Sequence, residues 1–167
     1  MVLFLLKFVE NKTVMKKIYL ILIFFIGIVS AQAQELKWHT NVKEAIAIGN
    51  KEHKPLLLFF TGSDWCGWCI RLQKEVLLTP EFSKWAKENV VLVELDYPRR
   101  TPQAPEIKKQ NEELQQAFAI QGFPTVHFAN GIEKDGKVNF EGLGSTGYVP
   151  GGPAAWLAVA NGIIKKK

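Results

Sequence analysis

Cysteine is nearly absent from this chain: among 167 residues there are two. So few cannot build the disulfide framework that holds small secreted domains together. Nor can they fill the four-ligand cage of a structural zinc site without other residue types. A clustered basic face, which a nucleic-acid-binding protein needs, is also missing. Lys165-Lys166-Lys167 is the only run of three cations, and cations at that place suit the C-terminal end of a helix dipole. No nucleic-acid partner is expected. The apolar run near the start, Ile18 to Val29, has 12 residues, against the roughly 20 that a membrane-spanning helix needs. No repeat or low-complexity stretch follows it.

What is present begins with that run. Met15-Lys16-Lys17 precedes it and Ser30-Ala31-Gln32-Ala33 follows. Charged, apolar and small-residue segments in that order read as a secretory signal with its cleavage site at Ala31-x-Ala33. Residues 1–33 are therefore expected to be removed, with translation starting at Met15 and residues 1–14 an artefact of start assignment. An uncleaved membrane anchor is the competing reading. The domain expected to remain, residues 34–167, has 17 basic and 15 acidic side chains, so the formal charge of +5 falls to +2. Export implies a periplasmic setting. There the cytoplasmic reducing pools do not keep thiols reduced, so a dithiol either oxidises its partners or draws electrons from a dedicated donor.

Hydrophobic patterning sets out the domain. Asn41, with Glu44 three residues on, has the form of a capping box for a helix over Val42 to Asn50. Leu56 to Phe60 and Val90 to Leu95 are short apolar runs of the kind buried on both faces of a sheet. Between them, helices are predicted from Cys66 through Val76 and from Thr79-Pro80, a capping residue followed by proline at the first helical position. Tyr97 to Pro105 is a proline-rich, solvated loop carrying Arg99 and Arg100, and Glu106 to Phe118 is helical. Thr125 to Phe128 is a third strand. Asn130-Gly131 and Asp135-Gly136 are expected as turns before a fourth, Lys137 to Glu141. Gly142 to Gly152 reads as a glycine-rich loop, with Tyr148 in a rigid lead-in to a last helix, Pro153 to Ile164, where it could border the site. Strands separated by helices imply parallel pairs, and the late pair implies a hairpin. The fold class is α/β, a mixed central β-sheet with helices on both faces.

Both cysteines fall in Trp65-Cys66-Gly67-Trp68-Cys69. A structural bridge usually joins distant segments, because closing a long loop constrains the unfolded chain more; this spacing instead suits a small disulfide that opens and closes. Thiol–disulfide exchange needs one thiolate to attack and a second thiol to release the mixed intermediate. If Cys66 is the first residue of a helix, the dipole and free backbone N–H groups stabilise its thiolate. Cys69, one turn on and on the same side, is then the buried resolving thiol. Trp65 and Trp68 flank the pair and offer apolar surface to a substrate.

Asp64-Trp65-Cys66-Gly67-Trp68-Cys69 after an apolar strand, together with Gly122-Phe123-Pro124-Thr125 before another, resembles the thioredoxin superfamily over most of residues 38–167. The resemblance implies a thioredoxin-like fold and a thiol–disulfide oxidoreductase, a reductase or isomerase of protein disulfides. It implies Cys66 and Cys69 as catalytic residues, and Phe123 and the cis-proline Pro124 as a substrate-binding loop beside Trp65, Gly67 and Trp68. No cofactor is implied. Disulfide-bearing proteins are the substrates, a membrane electron donor would restore the dithiol, and a monomer is the expected state. Two departures stand out: Phe60 occupies the place of the superfamily's buried aspartate, and Trp68 replaces the usual proline between the cysteines. Other readings stay open. His39, His53 and His127 could in principle complete a zinc site, and a copper(I)-binding assembly or chaperone protein would take its third ligand from His127, since thiolates suit copper(I). A binding module that merely retains the fold would keep its function without Cys66.

Overall fold

The computed structural model describes residues 36–134 and 137–165. The expected signal segment and the Asp135-Gly136 turn lie outside the described residues. The elements are β1 (Trp38–His39), α1 (Val42–Glu52), β2 (Leu56–Thr61), α2 (Gly67–Leu72, continued by a π-helical turn over Gln73–Leu77), α3 (Pro80–Asn89), β3 (Val91–Asp96), α4 (Pro105–Ala117), β4 (Thr125–Lys134), β5 (Lys137–Thr146) and α5 (Gly152–Ile164). They build a five-stranded sheet in the order β1-β3-β2-β4-β5. β2 is parallel to β3 and antiparallel to β4, which forms a hairpin with β5. The expected mixed sheet is present.

Every residue of β2 is buried, as a central strand covered on both faces requires. Leu57 and Phe59 point to one side, with Leu92, Val126 and Phe128, against α2, α3 and α5. Leu56, Leu58 and Phe60 point to the other, with Val91, Val93 and Leu95, against α1 and α4. Both cysteines belong to the first of these clusters. Phe60 belongs to the second; it stacks on Tyr97, with Phe118 tilted against it and His127 edge-on.

Local signals are honoured where packing agrees with them. Thr79 caps α3, with Pro80 at its start, and Asn41 Oδ1 accepts from the Lys43 and Glu44 amides. The reciprocal half of the capping box does not form: the Glu44 carboxylate turns instead to Lys37 and His39. Asn130-Gly131 is not a turn. Both residues lie inside β4, paired with Glu141 and Phe140, and the hairpin is longer than the pattern implied, reaching Thr146. A Cβ at Gly131 would overlap the Ile46 side chain, so glycine stands there for close approach of α1 to the sheet. The first five residues of the supposed glycine-rich loop are therefore strand.

Candidate active site

β2 ends at Thr61, and a tight turn through Gly62 and Asp64 delivers the chain to α2. The Trp65 and Cys66 amides both donate to the Gly62 carbonyl, at 3.3 and 2.9 Å. Ser63 donates to Asp96 at the end of β3 through its amide (2.8 Å) and hydroxyl (2.6 Å). Asp64 accepts the amides of Arg99, Arg100 and Thr101, at 2.7 to 3.2 Å, and these bonds hold its carboxyl below the usual carboxylate range. The approach to the motif is thus tied at two points, to the last residue of β3 and to the loop after it.

Cys66 is the N-cap of α2 and not its first helical residue. Its Sγ accepts from the Cys69 amide at 3.2 Å, the role a serine or aspartate oxygen plays at a cap. The two sulfurs are bonded, with the Cα atoms 5.3 Å apart. Cys66 is 6% exposed and Cys69 is fully buried, so the outer sulfur is the one within reach of a partner. Once the bridge is open, the same amide can stabilise negative charge on Cys66, because a helix start favours anions.

The Phe123–Pro124 peptide bond is cis, as the Gly-Phe-Pro-Thr motif implied. Phe123 meets Trp65 edge to face at 5.6 Å and Tyr97 at 5.1 Å. The Trp65 indole N–H donates to the Tyr97 carbonyl at 2.8 Å, and a Cβ at Gly62 would overlap the indole. Trp65 is therefore a fixed wall between the two motifs. Trp68 behaves differently: it is 56% exposed. Beside it are Tyr148, with ring centroids 5.3 Å apart, and Arg71, whose guanidinium lies 5.3 Å from the Trp68 ring and 5.0 Å from that of Tyr148. Glu75 joins this group by accepting from both Arg71 (2.8 Å) and the Tyr148 hydroxyl, and those two bonds, the tyrosine's first, hold its carboxyl below the usual range. Arg71 and Glu75 were not legible as site residues, whereas Tyr148 does border the site as the loop before the last helix allowed. The helical spacing of Arg71 and Glu75 is a signal for a pair, but Tyr148 comes from 73 residues beyond Glu75.

All three histidines miss the cysteines. His127, the copper ligand expected if the chain handled copper, pairs with Leu58 on the opposite sheet face and packs against Phe60 and Phe118. Burial pushes it down from the usual histidine range. His39 is engaged by Glu44, and His53 ends α1 in a left-handed conformation. Among the described residues no group of three or more His, Cys, Asp or Glu side chains could hold a metal ion.

An acid does stand on the cysteine face of the sheet, in β3 rather than β2. By strand alternation Glu94 shares its face with Leu92, and it pairs with Phe59. Burial, reinforced by Asp96, pushes its carboxyl above the usual range. Such a group holds its proton longer in the folded state. Its folding contribution is most favourable below the unfolded value and declines as pH rises through the folded one. Glu94→Gln is therefore expected to raise Tm at pH 7, and the gap should close as the pH falls below the unfolded carboxyl value. Thermal unfolding of both proteins across that range checks this; a variant less stable at pH 7 would contradict it.

A family model described as a thioredoxin-like domain matches residues 42–150. The chain belongs to the thioredoxin-like family. The disulfide bond reductase DsbH of Chlamydia pneumoniae is 37% identical over 133 residues, 80% of this chain and 75% of the relative. The thioredoxin-related protein DsbJ of Chlamydia pneumoniae is 35% identical over 103 residues, 62% of this chain but 30% of its own length. A solved structure of a DsbH oxidoreductase superposes with a TM-score of 0.71 at 34% identity, covering 83% of this chain and 90% of the other. A thioredoxin from Thermus thermophilus, at 21% identity and a TM-score of 0.56, covers 78% of this chain and 88% of its own and shares the fold. The thioredoxin-like chain is a thiol–disulfide oxidoreductase, with a vicinal cysteine pair at the start of α2.

Proposed function

We propose that the protein is exported, works in the periplasm, and reduces the disulfides of other exported proteins. The observation that carries this reading is the bridged Cys66–Cys69 pair, with its outer sulfur at a helix cap beside the cis Pro124 loop. Similarity to a relative named as a disulfide bond reductase supports the direction, and the signal-like residues 15–33 support the compartment.

In the reductive half-reaction the Cys66 thiolate attacks one sulfur of the substrate disulfide. A mixed disulfide forms, and the other substrate sulfur leaves as a thiolate and takes up a proton. Cys69, as thiolate, then attacks Cys66 Sγ and displaces the second substrate sulfur. The substrate gains two electrons and the enzyme ends as the Cys66–Cys69 disulfide. Phe123 and Pro124 hold the substrate segment beside the sulfurs, with Trp65, Gly67 and Trp68 lining the approach. A dithiol protein, membrane-embedded because this compartment lacks a reducing pool, returns the two electrons by the same exchange. Trapping thiols in intact cells tests the direction: a reductase should be found with much of its Cys66–Cys69 pair reduced. A pair that stays fully oxidised would instead mark an oxidase.

A further inference from the structure

The two tryptophans of the motif each carry an arginine, and the two arginines differ in whether a carboxylate pairs with them. Arg71, beside Trp68, is paired with Glu75 at 2.8 Å. Arg99 lies over Trp65 with its guanidinium carbon 3.9 Å from the ring centroid. Among the described residues no carboxylate forms an ion pair with Arg99 or with Arg100. The nearby acids are engaged elsewhere: Asp64 accepts backbone amides of this same loop, where its charge is also felt by Arg100, and Asp96 is held by Ser63. The loop therefore presents cations outward and keeps its carboxylates engaged. Arg99 is also well placed, because the Asp64 bonds fix its backbone and the Trp65 indole beneath it is bonded to Tyr97 and packed on Phe123. One indole separates its charge from the residue preceding the cis proline.

We propose that Arg99 is a specificity-determining residue of the exchange site: its guanidinium, seated on Trp65, selects disulfides flanked by an aspartate or glutamate side chain. This rests on the disulfide-exchange reading above. A guanidinium held on an aromatic face loses less freedom on meeting a carboxylate than a mobile one does. Exposed pairs of this kind contribute about 0.2–1 kcal/mol, which corresponds to about a 1.4- to 5-fold preference. The preference should weaken as salt screens it.

The test compares reduction of two synthetic disulfide-bridged peptides that differ only in a Glu or Gln beside the reacting cysteine. The wild-type protein should show a Glu-to-Gln ratio of kcat/KM of about 1.4–5 at low salt, falling toward 1 as salt is raised. Arg99→Gln should bring the low-salt ratio to about 1, and Arg99→Lys, which keeps the charge, should retain part of the preference. A wild-type ratio of 1 would overturn the proposal. So would an unchanged ratio in Arg99→Gln, including the case where both rates fall together because Arg99 merely props Trp65. If the wild type reduces neither peptide, the exchange reading itself fails and the proposal with it.

Discussion

Replacing Cys66 by serine is expected to abolish disulfide reduction, while replacing Cys69 by serine should stop turnover one step later. The difference follows from position. Cys66 caps α2 with the Cys69 amide 3.2 Å from its sulfur, and it is the less buried of the pair. A serine there keeps the cap, because a hydroxyl accepts the same amide, but it cannot form or exchange a disulfide. The fold should survive and the chemistry should not. Cys69, fully buried behind Cys66, has no route to an external disulfide, so it should not substitute as nucleophile. With Cys69 changed, the first attack proceeds and the mixed disulfide has nothing inside the protein to resolve it. Steady-state reduction of a disulfide-bonded protein by each purified variant checks both; near-normal turnover by Cys66→Ser would be incompatible with the assigned roles.

Trp156→Ala should produce the largest loss of stability among single changes near the site. The indole is fully buried in α5 and meets Phe82, Trp85 and Phe128 at centroid separations of 5.7 to 6.3 Å. Truncating a buried aromatic to alanine costs about 3–5 kcal/mol, on the order of 10 °C or more in Tm for a domain of this size. Its N–H also donates to the Gly147 carbonyl at 3.0 Å, next to Tyr148, which packs on Trp68 beside the disulfide. Trp156→Phe should therefore fall between wild type and alanine in stability, since it keeps most of the ring and frees the loop. Calorimetric unfolding of the three proteins measures this, and an alanine variant as stable as wild type would contradict the packing described.

The fold was largely written in short-range signals. Leu56 to Phe60 reads as a buried strand because no polar residue interrupts it, and Thr79-Pro80 starts a helix by capping chemistry that needs no tertiary support. The cysteine pair and the cis-proline motif were legible for the same reason: each is a contiguous pattern. What escaped depends on distance. β1 is two residues long, too short for any periodicity to register. Asn130-Gly131 looks like a turn until Ile46 is packed against it, and only then does glycine have its reason. Arg99 could be seen to lie in a loop, but not on Trp65, because 34 residues separate them and Asp64 makes the connection. Glu94, the half-buried acid on the cysteine face of the sheet, is found only once strand alternation is counted across β3.

Mixing reduced Cys69→Ser protein with a disulfide-bonded substrate, quenching with acid and mapping the adduct by mass spectrometry tests the site most directly. The expected product is a covalent adduct joined through a Cys66 disulfide, absent when Cys66→Ser is treated in the same way. No adduct at all, or one that forms as readily through Cys69 in the Cys66→Ser protein, would contradict the reading of Cys66 as the attacking sulfur and Cys69 as its resolver.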